Sequence, residues 1–137
     1  MDSLQLPAYS LQLIAWNMYK FRFVEFKVYK LAKELHHECV ILTNSFPRNF
    51  LYLGDQLKRA SLSVILNIAE GSGKESDRDF RRYIQIALGS INEVAACLEV
   101  AFDEKLIDLE TKEVLLSNSF DLKNQLGSFS QKLKMES

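Results

Sequence analysis

From Phe80 to Ala101 the chain places Phe80, Ile84, Ala87, Ile91, Val94, Leu98 and Ala101 at alternating steps of four and three without a break. On a helix this spacing gathers all of them into one apolar stripe, and its period is that of left-handed bundle packing. A helix of this kind needs other helices to cover its stripe, so the rest of the chain has to supply them.

It does so three more times. Residues 23 to 45 carry Val24, Val28, Leu31, Leu35, Cys39 and Leu42 at helical steps, with Lys27, Lys30, Lys33 and Glu34 mostly outside the stripe. This helix should stop at Phe46-Pro47, because the residue before proline is pushed out of the α region. Leu53, Leu57, Ala60, Val64 and Asn67 make a second helix, and Ser61, Ile65 and Ile68 form another apolar or small stripe beside the first, so this helix should be central. The last stripe is Leu115, Ser119, Leu122, Leu126, Phe129 and Leu133, after a break around residues 103 to 108. The expected fold is all-α, an antiparallel up-down-up-down four-helix bundle over residues 23–134 with a short tail at 135–137. Residues 1–22 form an N-terminal extension. Pro7 is placed to begin a helix there, and Leu11, Ile14, Met18 and Phe21 are spaced to prolong helix one by several turns. Such an overhang would need its apolar side covered by a partner or by folding back.

Composition agrees with helices. Five Gly and two Pro in 137 residues are few, where turn-rich β architectures use more of both. The formal net charge of −1 argues against a surface that is wholly a polyanion binder. Charge is unevenly spread, with eight Lys/Arg against five Asp/Glu in residues 1–60 and nine against thirteen in the remainder. The N-terminus has Asp2 where a signal peptide would carry Lys or Arg, and no uninterrupted apolar run reaches the ~18 residues of a membrane span. Cys39 and Cys97 sit among apolar residues without a CxxC pair, as buried free thiols would. The expected setting is cytoplasmic.

Gly71-Ser72-Gly73-Lys74 resembles the end of a phosphate-binding loop. That loop requires a glycine where Ile68 stands and a Mg²⁺-binding hydroxyl where Glu75 stands, and it must follow a strand. The stretch is better read as a stop for helix two, with Gly71 in the left-handed position that ends it. Ser76 then offers an N-cap oxygen for helix three, with Asp77 and Asp79 in the first turn. A tight hairpin through this turn puts Leu57 opposite Ser90, Ala60 opposite Ala87 and Asn67 opposite Phe80, with Gly89 allowing close helix approach.

Arg59, Asn67, Glu70, Ser90 and Glu93 lie on or beside the apolar stripes and are candidates for a structural polar network or a subunit contact, Arg59 being the nearest cation to Glu93 and Ser90. An acid/base pair of Glu70 and Glu93 is discounted, since they lie over two turns apart and no nucleophile accompanies them. His36 shares a face with Cys39, but two ligands are too few for zinc, and Glu-x-x-His motifs for a di-iron bundle are lacking. No catalytic residue, metal or cofactor is expected.

Asp55 to Ser61 (DQLKRAS), Asn67 to Gly71 (NIAEG) and Phe80 to Ser90 (FRRYIQIALGS) together carry a family resemblance, supported by Phe26 to Leu35, the Ser45-Phe46-Pro47 turn and Glu93. In order and spacing they resemble the bacterial four-helix-bundle proteins encoded by intervening sequences in 23S ribosomal RNA genes. The resemblance implies a small cytoplasmic bundle without catalysis, often a ring-shaped homopentamer. It also implies kinship with the accessory variability determinants of diversity-generating retroelements, pentamers that bind nucleic acid and a reverse transcriptase. Those are strongly basic, whereas this chain is slightly acidic, and residues 1–20 lie outside the family pattern.

The expected function is therefore that of a non-catalytic homo-oligomeric scaffold, a pentamer by resemblance, associating with RNA or DNA or with a reverse-transcriptase-type nucleoprotein. The competing expectation is a purely structural or protein-binding oligomer. Lys20, Arg22, Lys27, Lys30 and Lys33 around helix one, with Arg78, Arg81 and Arg82 at the start of helix three, are the candidate nucleic-acid contacts. Repeated around a ring, such a patch would bind phosphates weakly at each copy but additively overall.

Overall fold

The computed structural model describes residues 21–136 together with Pro7 and Ser10. Its long helices are α1 (Lys27–Thr43), α2 (Leu51–Ser72), α3 (Asp77–Asp103) and α4 (Leu109–Glu136), with short 3-10 helices at Arg22–Glu25 and Arg48–Phe50 and no strand among the described residues. Each long helix packs on its neighbour in sequence and α4 also meets α1, while α1 and α3, and α2 and α4, make no close backbone approach. One core fills the space between them.

Helix α1 begins four residues later than the spacing predicts. Phe26 has extended backbone (ψ 130°), which carries its ring against Phe80 at 6.2 Å and Phe129 at 5.1 Å between centroids. Val24, expected in the stripe, falls in the preceding 3-10 turn and is 44% exposed. The remaining stripe holds: Val28, Leu35 and Cys39 are buried, with Leu31 and Leu42 packed against the core. The helix ends at Thr43 and Pro47 follows in extended conformation.

Helix α2 is the central element the sequence suggests. Leu53, Leu57, Ala60 and Val64 are buried, and so are Ser61, Ile65 and Ile68 on the adjoining side. Gly71, however, is not a left-handed stop. The helix runs through it to Ser72, and no described glycine has a positive φ. A Cβ at position 71 would lie 2.8 Å from side-chain carbons of both Phe80 and Tyr83, so glycine is required by the close approach of α3. The end of α2 is closed instead by the Gly73 and Lys74 N–H groups, which donate to the carbonyls of Glu70 and Gly71 at 3.1 Å each, and by Arg22 Nε, which donates to the Ser72 carbonyl at 3.0 Å.

Ser76 caps α3 as expected, its hydroxyl accepting from the Asp79 N–H at 3.1 Å. Every member of the Phe80-to-Ala101 stripe is buried. Helix α3 has a window of mean hydropathy 1.3, long and apolar enough by composition to cross a membrane, and its apolar side chains here form the middle of the bundle core.

The α3–α4 turn contains no glycine. Lys105 takes the left-handed conformation (φ 61°), the Leu106 N–H donates to the Ala101 carbonyl and the Lys105 N–H to that of Phe102, both at 2.9 Å. This is a Schellman end with lysine where glycine is usual. Asp108 then caps α4, its carboxylate accepting from the Thr111 N–H at 2.8 Å. These hydrogen bonds hold its pKa below the ordinary value. Leu115, Ser119, Leu122 and Leu126 are buried along α4, with Phe129 and Leu133 packed against the core, as the spacing indicates.

Of the N-terminal extension, the Ser10 N–H donates to the Pro7 carbonyl at 2.9 Å. Leu11, Ile14, Met18 and Lys20 lie outside the described residues. Phe21 is extended (φ −95°, ψ 109°).

Candidate functional site

Between α2 and α3 runs a polar seam. Asn67 Nδ2 donates to the Ser63 carbonyl at 2.8 Å and to Ser63 Oγ at 3.0 Å. Ser63 Oγ meets Ser90 Oγ at 2.9 Å, and Ser90 Oγ donates to the Ile86 carbonyl at 3.2 Å. A hydroxyl has one proton. Because Ser90 spends its proton on Ile86, Ser63 is the donor to Ser90, and the chain of donors runs in one direction from Asn67 to Ile86. No described buried side-chain nitrogen or oxygen lacks a partner. Further along the same two helices, Gln56 Nε2 donates to Glu93 Oε2 at 3.1 Å.

The seam joins two of the polar residues singled out in the sequence, Asn67 and Ser90, and adds Ser63, which sequence reasoning missed. The expected hairpin register is displaced by about one helical turn: Ser63, not Leu57, meets Ser90, and Gly71, not Asn67, meets Phe80. The close contact at Gly71 sets this register. Glu93 takes Gln56 as its partner in place of the expected Arg59, and Arg59 and Glu70 are exposed outside the seam. Gly89 is exposed too, with nothing within 4 Å of where a Cβ would stand, so it marks no close helix approach.

A second polar link crosses from α1 to α2. His36 Nδ1 and Ser61 Oγ are 2.8 Å apart, and Ser61 Oγ donates to the Lys58 carbonyl at 3.1 Å, so the imidazole nitrogen is the donor between them. Desolvation, reinforced by neighbouring His37, lowers the His36 pKa. Burial pushes the Cys39 thiol up to about 12, and burial also raises that of Cys97. Among the described residues no three His, Cys, Asp or Glu side chains converge on a point that would hold a metal.

The basic candidates divide. Arg22 is turned against the bundle, its guanidinium on the Ser72 carbonyl and 5.3 Å from the centre of the Phe80 ring, where it closes the end of the fold. Lys30 lies 3.8 Å from Glu25, and Lys33 is 5.2 Å from the Tyr29 ring centre. Lys27 and Arg78 are exposed, Arg81 is half-buried, and Arg82 sits 5.4 Å from the Tyr83 ring centre. The Phe26–Phe80 stack brings the starts of α1 and α3 to the same end of the molecule, where Glu25, Asp77 and Asp79 accompany the cations along the chain.

Large apolar side chains also face outward from the α2–α3 pair. Tyr52 is 64% exposed on α2, and Ile86 and Val100 are 47% and 42% exposed on α3, with Glu93 midway between them at heptad spacing. In sequence comparison, residues 24–128 match the family model of the 23S rRNA-intervening sequence protein. No curated protein matches the chain.

Proposed function

The chain belongs to the 23S rRNA-intervening sequence protein family, and from that premise we propose that it acts as a non-catalytic, self-associating helical scaffold. The observation that carries this reading is the outer face of α2 and α3, where Tyr52, Ile86 and Val100 remain exposed although both helices already bury a full core stripe. A four-helix core does not use that face, and a second copy would cover it. Repetition around a closed ring fits a heterologous contact, with a pentamer as the favoured closure. The arrangement of helices is read as antiparallel up-down-up-down, supported by contacts that pair Gln56 with Glu93, Ser63 with Ser90, and Gly71 with Phe80 in opposing order along α2 and α3.

Within a cytoplasmic nucleoprotein, including one of reverse-transcriptase type, the ring would present Lys27, Lys30, Lys33, Arg78, Arg81 and Arg82 several times over. Contact with RNA or DNA would then be backbone-directed and would weaken steeply with salt. Arg22, engaged in closing the fold, contributes least. The second reading, a protein-binding oligomer without nucleic-acid contact, is favoured by the acidic side chains interspersed among these cations.

Light scattering tests the scaffold: a discrete oligomer at micromolar concentration that Ile86→Asp dissociates is expected, and a wild-type monomer overturns it. Fluorescence anisotropy with structured RNA and duplex DNA at two salt concentrations separates the readings. Binding lost in Lys27→Glu/Lys30→Glu supports the first, and its absence at low salt leaves the second.

A further inference from the structure

Of the four neighbouring pairs of helices, α1 and α4 approach each other least. Between them opens a groove of about 360 Å³, with Ile41, Leu42, Val114 and Leu115 as its apolar floor and Glu38 and Glu110 at its edges. Ile41 is 58% and Val114 50% exposed, so much of this floor stands in water. Asn118 Nδ2 donates to the two carboxylate oxygens of Glu38 at 3.4 and 3.3 Å, which holds that charge at the edge. Neither helix supplies a cation to balance it. From Glu34 to Thr43 α1 has no Lys or Arg, and from Leu109 to Leu122 α4 has only Lys112. Lys112 is turned to the α3 side, 3.4 Å from Glu99 and 4.4 Å from the centre of the Phe102 ring. Glu34, one turn before Glu38, and Asp121, one turn beyond Asn118, are both exposed and extend the negative edges.

An apolar trough with acidic edges is complementary to an apolar ridge flanked by cations. From Glu110 to Asn118 the trough runs about 12 Å along α4, room for two side chains one helical turn apart. It is open along its outer side, so it takes a row of side chains from a rod and does not enclose a small molecule. Nucleic acid is disfavoured by sign, since its phosphates would meet the carboxylates. We propose that the α1–α4 groove docks an amphipathic helix of a partner protein, which lays two apolar side chains at i and i+4 over Leu42 and Leu115 and sets Lys or Arg beside Glu38 and Glu110. The groove lies on the pair opposite α2 and α3, so docking here does not depend on self-association through their outer face.

The probe is a fluorescein-labelled, alanine-rich peptide of about fifteen residues, with Leu at two positions four apart and Lys on both sides of them. Fluorescence anisotropy with the full chain should show saturable binding at low salt, with a dissociation constant of about 100 μM. The same peptide with Glu for Lys, or with Ser for Leu, should bind about tenfold more weakly or not at all. Glu38→Lys/Glu110→Lys should weaken binding of the Lys peptide by at least about tenfold, while far-UV circular dichroism shows the bundle intact. Glu70→Lys/Glu75→Lys makes the same change of net charge at exposed positions around the end of α2 and should leave binding unchanged. Ile41→Ser/Val114→Ser should weaken it with no change of charge. Absence of saturable binding to the wild type, equal binding of the Glu peptide, or equal loss in the two charge-reversed variants overturns the proposal. Light scattering at saturating peptide should give the same oligomeric state as the protein alone. A smaller species there would mean that a second copy fills the groove, which overturns its assignment to a foreign helix.

Discussion

The α2–α3 pair and the α4 helix solve the same packing problem with different stringency. Facing α2, helix α3 comes so close that position 71 has no room for a methyl group, and serines bond across the contact. Helix α4 contributes a single narrow stripe, and its own glycine, Gly127, has open space around it. The first region fixes a register; the second closes a core already laid out. The stretches DQLKRAS, NIAEG and FRRYIQIALGS lie on the pair whose geometry tolerates least change.

Truncation should expose this contrast most strongly at the aromatic cluster. Phe80→Ala, at a residue 1% exposed and in contact with Phe26 and Phe129, should cost about 3–5 kcal/mol in urea unfolding. Phe129→Ala, from the less buried partner on α4, should cost clearly less. Equal losses would break the distinction between the regions.

Glycine replacements should go in opposite directions. Gly71→Ala forces a shift of Phe80 or Tyr83 and should destabilise by about 1–3 kcal/mol. Gly127→Ala fills open space within a helix and should stabilise by up to about 1 kcal/mol. Thermal melts of both variants decide the matter, and a neutral Gly71→Ala would mean that the two helices slide freely.

What was legible in the sequence follows the same division. Long uninterrupted stripes identified all four helices, and the Ser76 cap was readable because an N-cap needs only its local sequence. Register was not readable. It depends on the depth to which Phe80 and Tyr83 sink toward Gly71, a tertiary fact, and the one-turn displacement carried Ser63 out of sight as Ser90's partner. The Lys105 turn was hidden for another reason: a left-handed lysine leaves no glycine to betray it. Arg22 could be recognised as a cation but not as a closing group, since its acceptor, the Ser72 carbonyl, lies fifty residues away in sequence.

Smaller effects refine the comparison. Ser90→Ala removes the acceptor of the Ser63 hydroxyl inside the seam and should cost about 1 kcal/mol, whereas Ser117→Ala on the exposed side of α4 should change nothing measurable in the same unfolding assay.

The least effect is expected from pH. His36 in the folded chain titrates below its ordinary value of 6.5, so the unfolded chain binds the extra proton first. Its contribution is fully present above pH 6.5 and is lost as the pH falls through the lowered folded value. The unfolding midpoint should therefore drop on acidification below neutrality, and His36→Gln should flatten that part of the profile.

The sealed thiols give the molecule an internal clock. Cys39 on α1 is completely buried and Cys97 on α3 nearly so, and with their pKa values raised neither offers a thiolate to an alkylating reagent while the bundle is closed. Alkylation then proceeds only through opening events, at a rate that reports how often each helix parts from its neighbours. If α3 belongs to the tightly registered half, Cys97 should be modified only when the whole chain unfolds. Cys39, on a helix that meets α4 only lightly, would react first through partial openings, so the order of modification would read out, in the native unsubstituted protein, which side of the bundle comes apart before the other.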